Sequence, residues 1–393
     1  MPEILGGMDM KRAVWVLTLL MLLGMVLPQQ AQAVELAQEA KSAVLMDVAT
    51  GTVLYEHNSH EALAPASVTK IMTMLLIMEA IDSGKIGWND TVTASEAAAA
   101  KGGSQVYLKV GETMTVTEML KSIAVSSAND CACAMAEHLA GSESAFVERM
   151  NEKAKELGMN DTHFVNCTGL DDSPEAASHK TSAYDIALMS RELLGKHPDI
   201  KKFTTIWMDT IRNGAFGLSN TNKLIRFYNG ATGLKTGFTS GAGYCLSASA
   251  QREDLELIAV TMGCKSSAER NAACKSMLDY GFANFALISP ELSDMPAVPV
   301  KLGKEAQVAA SLGNSASLLI DKGQKSSVTT QIQVEESLTA PVAQGQKLGT
   351  LRVMSGEQVL SEVPLVAAQG VERLSYGDLF GKVLGKTAMA KET

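Results

Sequence analysis

Residues 63–80 read LAPASVTKIMTMLLIMEA, and this stretch decides what we expect of both fold and chemistry. The run at 71–81 is apolar on nearly every side, which is typical of a helix buried at the centre of a domain. We therefore predict a central buried helix over about 68–81. Ser67 and Lys70 stand three residues apart where that helix begins.

This Ser-x-x-Lys pair indicates nucleophilic catalysis. Residues three apart share a helix face, so the amine of Lys70 can reach the hydroxyl of Ser67. A serine is activated only when a base takes its proton, and a lysine can do so when burial or another cation lowers its pKa. The backbone N–H groups at a helix start can also stabilise an oxyanion. The alternative is a helix cap followed by a surface lysine.

A second short motif is Ser127-Ala128-Asn129, in a segment between two predicted helices. A hydroxyl and an amide two residues apart on such a loop could line a cleft. The alternative is an ordinary N-cap for a helix starting near Asp130, because Ser, Asn and Asp all favour that position.

A third motif is Lys235-Thr236-Gly237, which opens a predicted strand. Lys235 would bring a second cation and Thr236 a hydroxyl for an anionic group of a substrate. Gly237 would leave room for a substrate close to the strand. If this is an edge strand, an extended peptide could pair with it. A simple turn at the start of a strand is the alternative.

The order of predicted elements indicates one α+β domain over about 34–287. Residues 42–58 alternate around an Ala-Thr-Gly turn, which predicts a hairpin. Residues 85–230 are expected to be mostly helical with loops, three short strands follow Gly233, and a final helix covers 266–285. The hairpin and the later strands are expected to meet in a single antiparallel sheet.

The remaining C-terminal part reads differently. Residues 288–300 contain three prolines and mark a boundary. Residues 298–372 are rich in Val, Gln, Ser and Thr, which favours a separate small all-β domain. The tail at 373–393 can be drawn as a weakly amphipathic helix resting on a membrane surface. A disordered or packed terminus is the alternative.

The N-terminus at 1–33 is typical of a signal peptide. Two basic residues at 11–12 precede an apolar segment at 13–27, and an Ala-x-Ala site ends at Ala33. We expect cleavage there and a mature protein outside the cytoplasmic membrane, in the periplasm or on the cell-wall side. A retained membrane anchor is the alternative, but the apolar segment is short for a span.

Composition narrows the classes of partner. The chain has 393 residues, 46% apolar and 20% charged, with a net charge of −9. That balance argues against nucleic acid as the main partner, because binding to nucleic acid requires clustered Lys and Arg. All six cysteines lie within 131–274 without the spacing of a zinc site, and we expect no metal. Free, mostly buried thiols are favoured over disulfides, and Cys131 and Cys133 should not pair with each other.

The three motifs, in this order in an exported chain, resemble those of the penicillin-binding proteins and serine β-lactamases. The wider context is similar to one branch, the low-molecular-mass D-alanyl-D-alanine carboxypeptidases. The segments that carry this likeness are LAPASVTKIMT, VSSANDCACAMAEHLAGS, FVNCTGLDD, HKTSAYDIALMSREL, NGATGLKTGFT and, near the end, APVAQGQKLGTLRV. The resemblance covers roughly residues 38 to 372.

The resemblance implies a transpeptidase-like domain, with an antiparallel sheet and a helical cluster, followed by a small all-β domain. It also implies that Ser67 is the acylated nucleophile and Lys70 its base. Ser127 would relay protons, and Asn129 would hold Lys70 and the substrate. Lys235 would bind the substrate or tune the electrostatic field around both serines. No metal or organic cofactor is expected.

On the substrate side, the resemblance implies an oxyanion hole made by the backbone N–H groups of Ser67 and Phe238. Family members often have His at that second position, and a backbone donor survives the change. Arg270, with Thr236, would hold the terminal carboxylate of the substrate, although a surface arginine is the alternative. His179 would be structural and not catalytic.

The implied reaction is acyl transfer in two steps on peptidoglycan stem peptides that end in D-Ala-D-Ala, with release of D-alanine. β-Lactam antibiotics should acylate Ser67 in the same way. A class A-like β-lactamase is one alternative, but no Glu-x-x-Leu-Asn element occurs within 131–234. A DD-endopeptidase or transpeptidase, or a non-catalytic wall-binding protein, are the others.

Overall fold

The computed structural model describes residues 35–289, 295–314 and 316–381. The chain divides into two units, Met1–Leu36 and Ala37–Thr393. Only residues 35 and 36 of the first unit are described, so everything below concerns the second. The predicted signal peptide and the end of the predicted tail helix, from 382, lie outside the described residues. Where the structure is described, none of its helices has the length and hydropathy needed to cross a membrane.

The helices are α1 (Lys70–Asp82), α2 (Glu96–Ala99), α3 (Val116–Ser126), α4 (Asn129–Ala140), α5 (Glu143–Glu156), α6 (Ala183–Lys196), α7 (Lys201–Thr204), α8 (Leu224–Phe227) and α9 (Ser267–Asn284). The first strands are β1 (Ser42–Asp47), β2 (Val53–His57), β3 (Thr91–Thr93), β4 (Thr113–Thr115), β5 (Met208–Ile211), β6 (Phe216–Ser219), β7 (Ala231–Thr239), β8 (Gly243–Arg252), β9 (Leu255–Cys264) and β10 (Phe285–Ile288). The strands that follow are β11 (Ala297–Lys301), β12 (Gln307–Leu312), β13 (Leu318–Asp321), β14 (Val328–Val334), β15 (Leu338–Thr339), β16 (Lys347–Ser355) and β17 (Gln358–Ala367).

The main sheet is antiparallel, with strand order β2-β1-β9-β8-β7. Since β1 pairs with β9, the two ends of the predicted domain do meet in one sheet, as expected. Helices cover both faces, so β9 is buried almost throughout. Leu257 faces Gly281 of α9, whereas Ile258 belongs to the core built with the other helices.

Helix α1 is the central buried helix that the apolar run predicts. Most of its side chains are buried, from Lys70 to Ala80. It starts slightly later than predicted, because Ala66–Thr69 form a 3₁₀ turn that leads into it. The turn places Ser67 outside the α-helix and Lys70 at its first position.

The expectation of a mostly helical segment at 85–230 is incomplete. Strands β3 and β4 form one small hairpin-like sheet there, and β5 and β6 form another. These strands have three or four residues each. Such short runs show too little alternation to be distinguished from loops in a sequence.

The C-terminal part is all-β apart from a 3₁₀ turn, within the residues described up to 374, and matches the expected class. Its main sheet has the order β14-β16-β17-β12-β11-β15 around a core of its own. Strand β10, which directly follows α9, pairs with β13. The two regions are therefore joined by strand pairing as well as by the proline-containing segment.

All six cysteines are free and buried, which confirms the interpretation favoured from the sequence. Cys131 and Cys133 lie on α4 and are not joined.

Candidate active site

Ser67 and Lys70 are in direct contact. Lys70 Nζ lies 2.9 Å from Ser67 Oγ and donates a second hydrogen bond of 2.8 Å to the carbonyl of Thr168. The Lys70 side chain is fully buried, and this burial lowers its pKa to about 7. The alternative of a cap and a surface lysine is therefore wrong, because the amine is inside the protein and partly neutral at neutral pH.

His179 supports the turn that carries Ser67. The backbone N–H of Val165 donates to His179 Nδ1 at 3.1 Å, so the ring proton lies on Nε2. That nitrogen is 2.8 Å from Thr69 Oγ1, which itself donates to the carbonyl of Ala66. Burial lowers the His179 pKa to about 4, so the ring is neutral. The contact is with Thr69 and not with Ser67, in agreement with a structural histidine.

The loop that contains Thr168 packs against the same turn. Gly169 has φ +80°, and a Cβ placed there would lie 1.8 Å from the carbonyl oxygen of Ala66. Only glycine fits so close an approach in this backbone conformation. The roles of Thr168 and Gly169 were not predicted, although both lie in FVNCTGLDD, one of the segments that carry the resemblance.

Ser127 lies in the short connection between α3 and α4, and Asn129 is the first residue of α4. Ser127 adopts the left-handed conformation with φ +63°, and the position preceding α4 is Ala128, which makes no side-chain cap. The N-cap alternative is therefore wrong. Asn129 Nδ2 donates to the carbonyl of Gly102 at 2.7 Å. Its Oδ1 is buried and has no hydrogen-bond partner among the described residues.

Asn129 and the loop that contains Thr168 both lie close to Gly103. A Cβ on Gly103 would come within 2.8 Å of Asn129 Nδ2 and 3.2 Å of Leu170, the second residue after Thr168. The expected contact between Asn129 and Lys70 is not made, within the residues described. Asn129 instead holds Gly102, and Lys70 binds Ser67 and Thr168.

Lys235 lies on β7, which is an edge strand of the main sheet. Its buried ammonium donates to the carbonyl of Thr236 at 2.8 Å. The Lys235 pKa is well below its usual value because of burial first, and then because of the charges of Lys70 and Arg270. The three cations therefore share one site. For Lys70, burial is the main cause of the lowered pKa, and the nearby carboxylate of Asp130 opposes it.

Gly237 has a structural role that the sequence did not indicate. A Cβ there would lie 2.7 Å from the carbonyl of Pro65 and 3.1 Å from the N–H nitrogen of Val68. The glycine thus makes room for the turn that carries Ser67, where the sequence suggested room for a substrate. Next to it, Thr236 Oγ1 donates to Thr221 Oγ1 at 2.7 Å.

Arg270 is buried on the first turns of α9, so the surface alternative is wrong. Its guanidinium lies 5.8 Å from the ring centroid of Tyr244. Phe238, which is 54% exposed, packs against the same Tyr244 ring, with 4.3 Å between the two ring centroids. No carboxylate lies within ion-pair distance of Arg270 in the part of the chain that the structure describes. Tyr244 was missed, although it pairs with Phe238 across the turn between β7 and β8.

Comparisons with known proteins agree with this geometry. Residues 28–266 match the family model described as D-alanyl-D-alanine carboxypeptidase, and residues 294–373 match the C-terminal domain of penicillin-binding protein 5. The chain is 46% identical over 357 residues to the D-alanyl-D-alanine carboxypeptidase DacF of Bacillus subtilis, covering 89% of this chain and 90% of that protein.

Solved structures give the same result. Penicillin-binding protein 5 from Haemophilus influenzae matches with a TM-score of 0.73 and 29% identity, over 86% of this chain and 99% of that one. Penicillin-binding protein D2 from Listeria monocytogenes in its ampicillin-bound form matches with a TM-score of 0.57 and 30% identity, over 62% of this chain and 98% of that one. With a buried, partly neutral lysine against a serine hydroxyl and these likenesses along almost its whole length, the chain belongs to the D-alanyl-D-alanine carboxypeptidase family and is a serine-type carboxypeptidase.

Proposed function

We propose that Ser67 is the nucleophile and that neutral Lys70 is its base. The observation that supports this most directly is the 2.9 Å contact between Lys70 Nζ and Ser67 Oγ in a site that lowers the lysine pKa to about 7. The amine takes the hydroxyl proton as Oγ attacks the carbonyl between two terminal D-alanine residues. Backbone N–H groups of Ser67 and Phe238 stabilise the oxyanion.

The attack forms a tetrahedral intermediate. When it collapses, D-alanine is released, and the nitrogen of this leaving group needs a proton. Ser127 relays that proton from Lys70, and water then hydrolyses the acyl-enzyme with the same groups in reverse. The buried, unpartnered Oδ1 of Asn129 suits an amide N–H of the acyl part of the substrate, since an unsatisfied buried acceptor is costly. Asn129 is thus assigned to the substrate.

The leaving D-alanine is held by its carboxylate. Arg270 and Lys235 are both buried, neither has a carboxylate within ion-pair distance among the described residues, and they repel each other. A substrate carboxylate between them, with Thr236 as a further donor, would relieve this repulsion and raise the Lys235 pKa. Such a site selects a free C-terminus, which is what distinguishes a carboxypeptidase.

The proposed substrates are peptidoglycan stem peptides ending in D-Ala-D-Ala, and β-lactams are the proposed inhibitors. The ampicillin-bound form of the Listeria protein supports the second point. We also propose that the protein is exported, and that its tail contacts a membrane. Tyr376 and Phe380 are exposed where the described residues end, as a surface-resting tail would require.

Diacetyl-Lys-D-Ala-D-Ala is the test substrate. We expect free D-alanine from the wild type and none from Ser67→Ala, which keeps the fold and removes the nucleophile. Benzylpenicillin should label the wild type alone. Absence of D-alanine with both proteins would favour a non-catalytic role. Rapid, repeated turnover of nitrocefin would point to a β-lactamase.

A further inference from the structure

A concave site that none of the proposed catalytic residues line has no role in the reaction described above. It has a volume of about 640 Å³ and lies between the loop before β4 and the turn between β5 and β6. Two aromatic side chains line it, Tyr107 and Phe216, with ring centroids 6.5 Å apart. Tyr107 is 70% exposed, and Val110 beside it is exposed as well.

The protein holds Tyr107 in this exposed position. Its φ is +58°, which a tyrosine rarely adopts. The carboxylate of Asp130 accepts hydrogen bonds from the backbone N–H groups of both flanking residues, Val106 and Leu108. Arg212 binds the carbonyl of Val106 from the other side. A strained backbone fixed in this way is more often functional than accidental.

The loop also connects this site to the catalytic residues. Asp130 directly follows Asn129, and the Asn129 N–H donates to the carbonyl of Ser104 at 2.7 Å. Tyr107 is three residues from Ser104, so their Cα atoms are at most about 11 Å apart. In the proposed function, Arg270 holds the leaving D-alanine and Asn129 holds the acyl part of the substrate. The acyl part would therefore extend from Asn129 toward this loop.

The chemistry of the site suits a neutral saccharide. The faces of a pyranose ring pack on aromatic rings, and its hydroxyl and acetamido groups bind planar polar side chains. Glu112 and Arg212 supply such groups and form an ion pair of 2.7 Å with each other, while Lys109 adds one positive charge to the lining. Arg212 also lies over the Phe216 ring at 5.2 Å, which fixes both.

We propose that this site, lined by Tyr107, Phe216, Glu112 and Arg212, binds an N-acetylated sugar of the glycan strand to which the stem peptide is attached. This rests on the proposed function. About four residues remain on the acyl side of the scissile bond, and they span roughly 14 Å when extended. That length exceeds the limit of about 11 Å between the Cα atoms of Ser104, which Asn129 contacts, and Tyr107.

The test compares two soluble substrates, a free stem pentapeptide and the same peptide carrying its disaccharide. The measured quantity is the ratio of their kcat/KM values. We expect the wild type to prefer the disaccharide form by about three- to tenfold, the contribution of one good aromatic contact. Tyr107→Asn removes the ring with a residue that tolerates positive φ, and should bring the ratio to about one.

Two further variants control this comparison. Tyr107→Phe keeps the ring and should keep the preference. Phe227→Ala removes an aromatic side chain that is 71% exposed, as Tyr107 is, but lies outside the site, and should leave the ratio unchanged. A wild-type ratio near one, or a preference that survives in Tyr107→Asn, would overturn the sugar site. Failure to cleave the free pentapeptide would instead refute the proposed function.

Discussion

At the residue scale, the proposed chemistry depends on the amine of Lys70, which burial shields from water. Lys70 is surrounded by protein, and its contacts are a hydroxyl and a backbone carbonyl, neither of which carries charge. Burial lowers its pKa to about 7 and outweighs the opposing charge of the Asp130 carboxylate. A lysine in water would be protonated at that pH and could not accept a proton.

Acylation of the enzyme should therefore depend on pH through Lys70. Below its pKa of about 7 the amine is protonated, so the rate of benzylpenicillin acylation should fall about tenfold for each pH unit. Above that value the amine is neutral, and the rate should level off. The profile is measured by quenching acylation reactions at timed intervals, from about pH 5 to about pH 9. Lys70→Arg, which stays protonated, should not acylate at any of these pH values; a flat wild-type profile contradicts the assignment.

Recognition of the substrate carboxylate should depend on Tyr244 through Arg270. Tyr244→Leu removes the ring beside the guanidinium, and we expect kcat/KM for a D-Ala-D-Ala peptide to fall about three- to tenfold. Tyr244→Phe keeps the ring and should keep kcat/KM at the wild-type value.

A double-mutant cycle with Arg270→Gln tests whether the two residues act together. Once Arg270 is replaced, Tyr244→Leu should have little additional effect. A C-terminally amidated peptide, which lacks the carboxylate, should be cleaved poorly and equally by all four proteins. Fully additive losses would show that Tyr244 does not act through Arg270.

At the scale of elements, the 3₁₀ turn Ala66–Thr69 is confined between two glycines from distant segments. Gly169 meets the carbonyl of Ala66 on one side, and Gly237 of β7 meets Pro65 and Val68 on the other. Thr69 bonds His179 behind it. The position of Ser67 is thus set by packing from three parts of the chain.

Gly169→Ala should displace this turn. Its new Cβ would overlap the Ala66 carbonyl, so we expect a large loss of acylation rate, at least about tenfold, and a lower melting temperature. Gly141→Ala is the matched control. Gly141 has a similar φ of +84° with nothing within 4 Å of a Cβ, so it should cost only backbone strain, about 1–2 kcal/mol. Equal effects of the two variants on acylation would argue against a role for Gly169 in holding the turn.

Considered as a whole molecule, the protein is stabilised by its cores and not by covalent cross-links. All six cysteines are free and buried, and burial raises the pKa of Cys245, for example, to about 11. Thiols that are both buried and protonated react slowly. Strands β10 and β13 form a separate two-stranded sheet that joins the region of the main sheet to the C-terminal part.

Thiol titration checks this arrangement. The folded protein should react very slowly with Ellman's reagent, and after denaturation without a reductant all six thiols should react. Adding a reductant should leave the melting temperature unchanged, because there is no disulfide to break. Fewer reactive thiols after denaturation, or a melting temperature that falls with reductant, would reveal a disulfide.

Much of the architecture and the site could be predicted from local patterns. The continuous apolar run at 71–81 predicts a buried helix, and the alternation at 42–58 predicts a hairpin, because each pattern has the period of its element. The spacing of Ser67 and Lys70 placed both at one helix start. The short strands β3 to β6 could not be predicted, since their pairing partners and not their composition make them strands.

What the sequence by itself determined is therefore which side chains are present and on which elements: a serine and a lysine three residues apart, proposed as nucleophile and base, a second lysine and an arginine. Only the tertiary structure decided that Lys70 is buried deeply enough to lose its proton, that Gly237 accommodates the Ser67 turn, and that Arg270 lies inside beside Tyr244. The reason is physical. A pKa, a close approach and a buried charge depend on which distant segments surround a residue, and that is fixed only when the chain has folded.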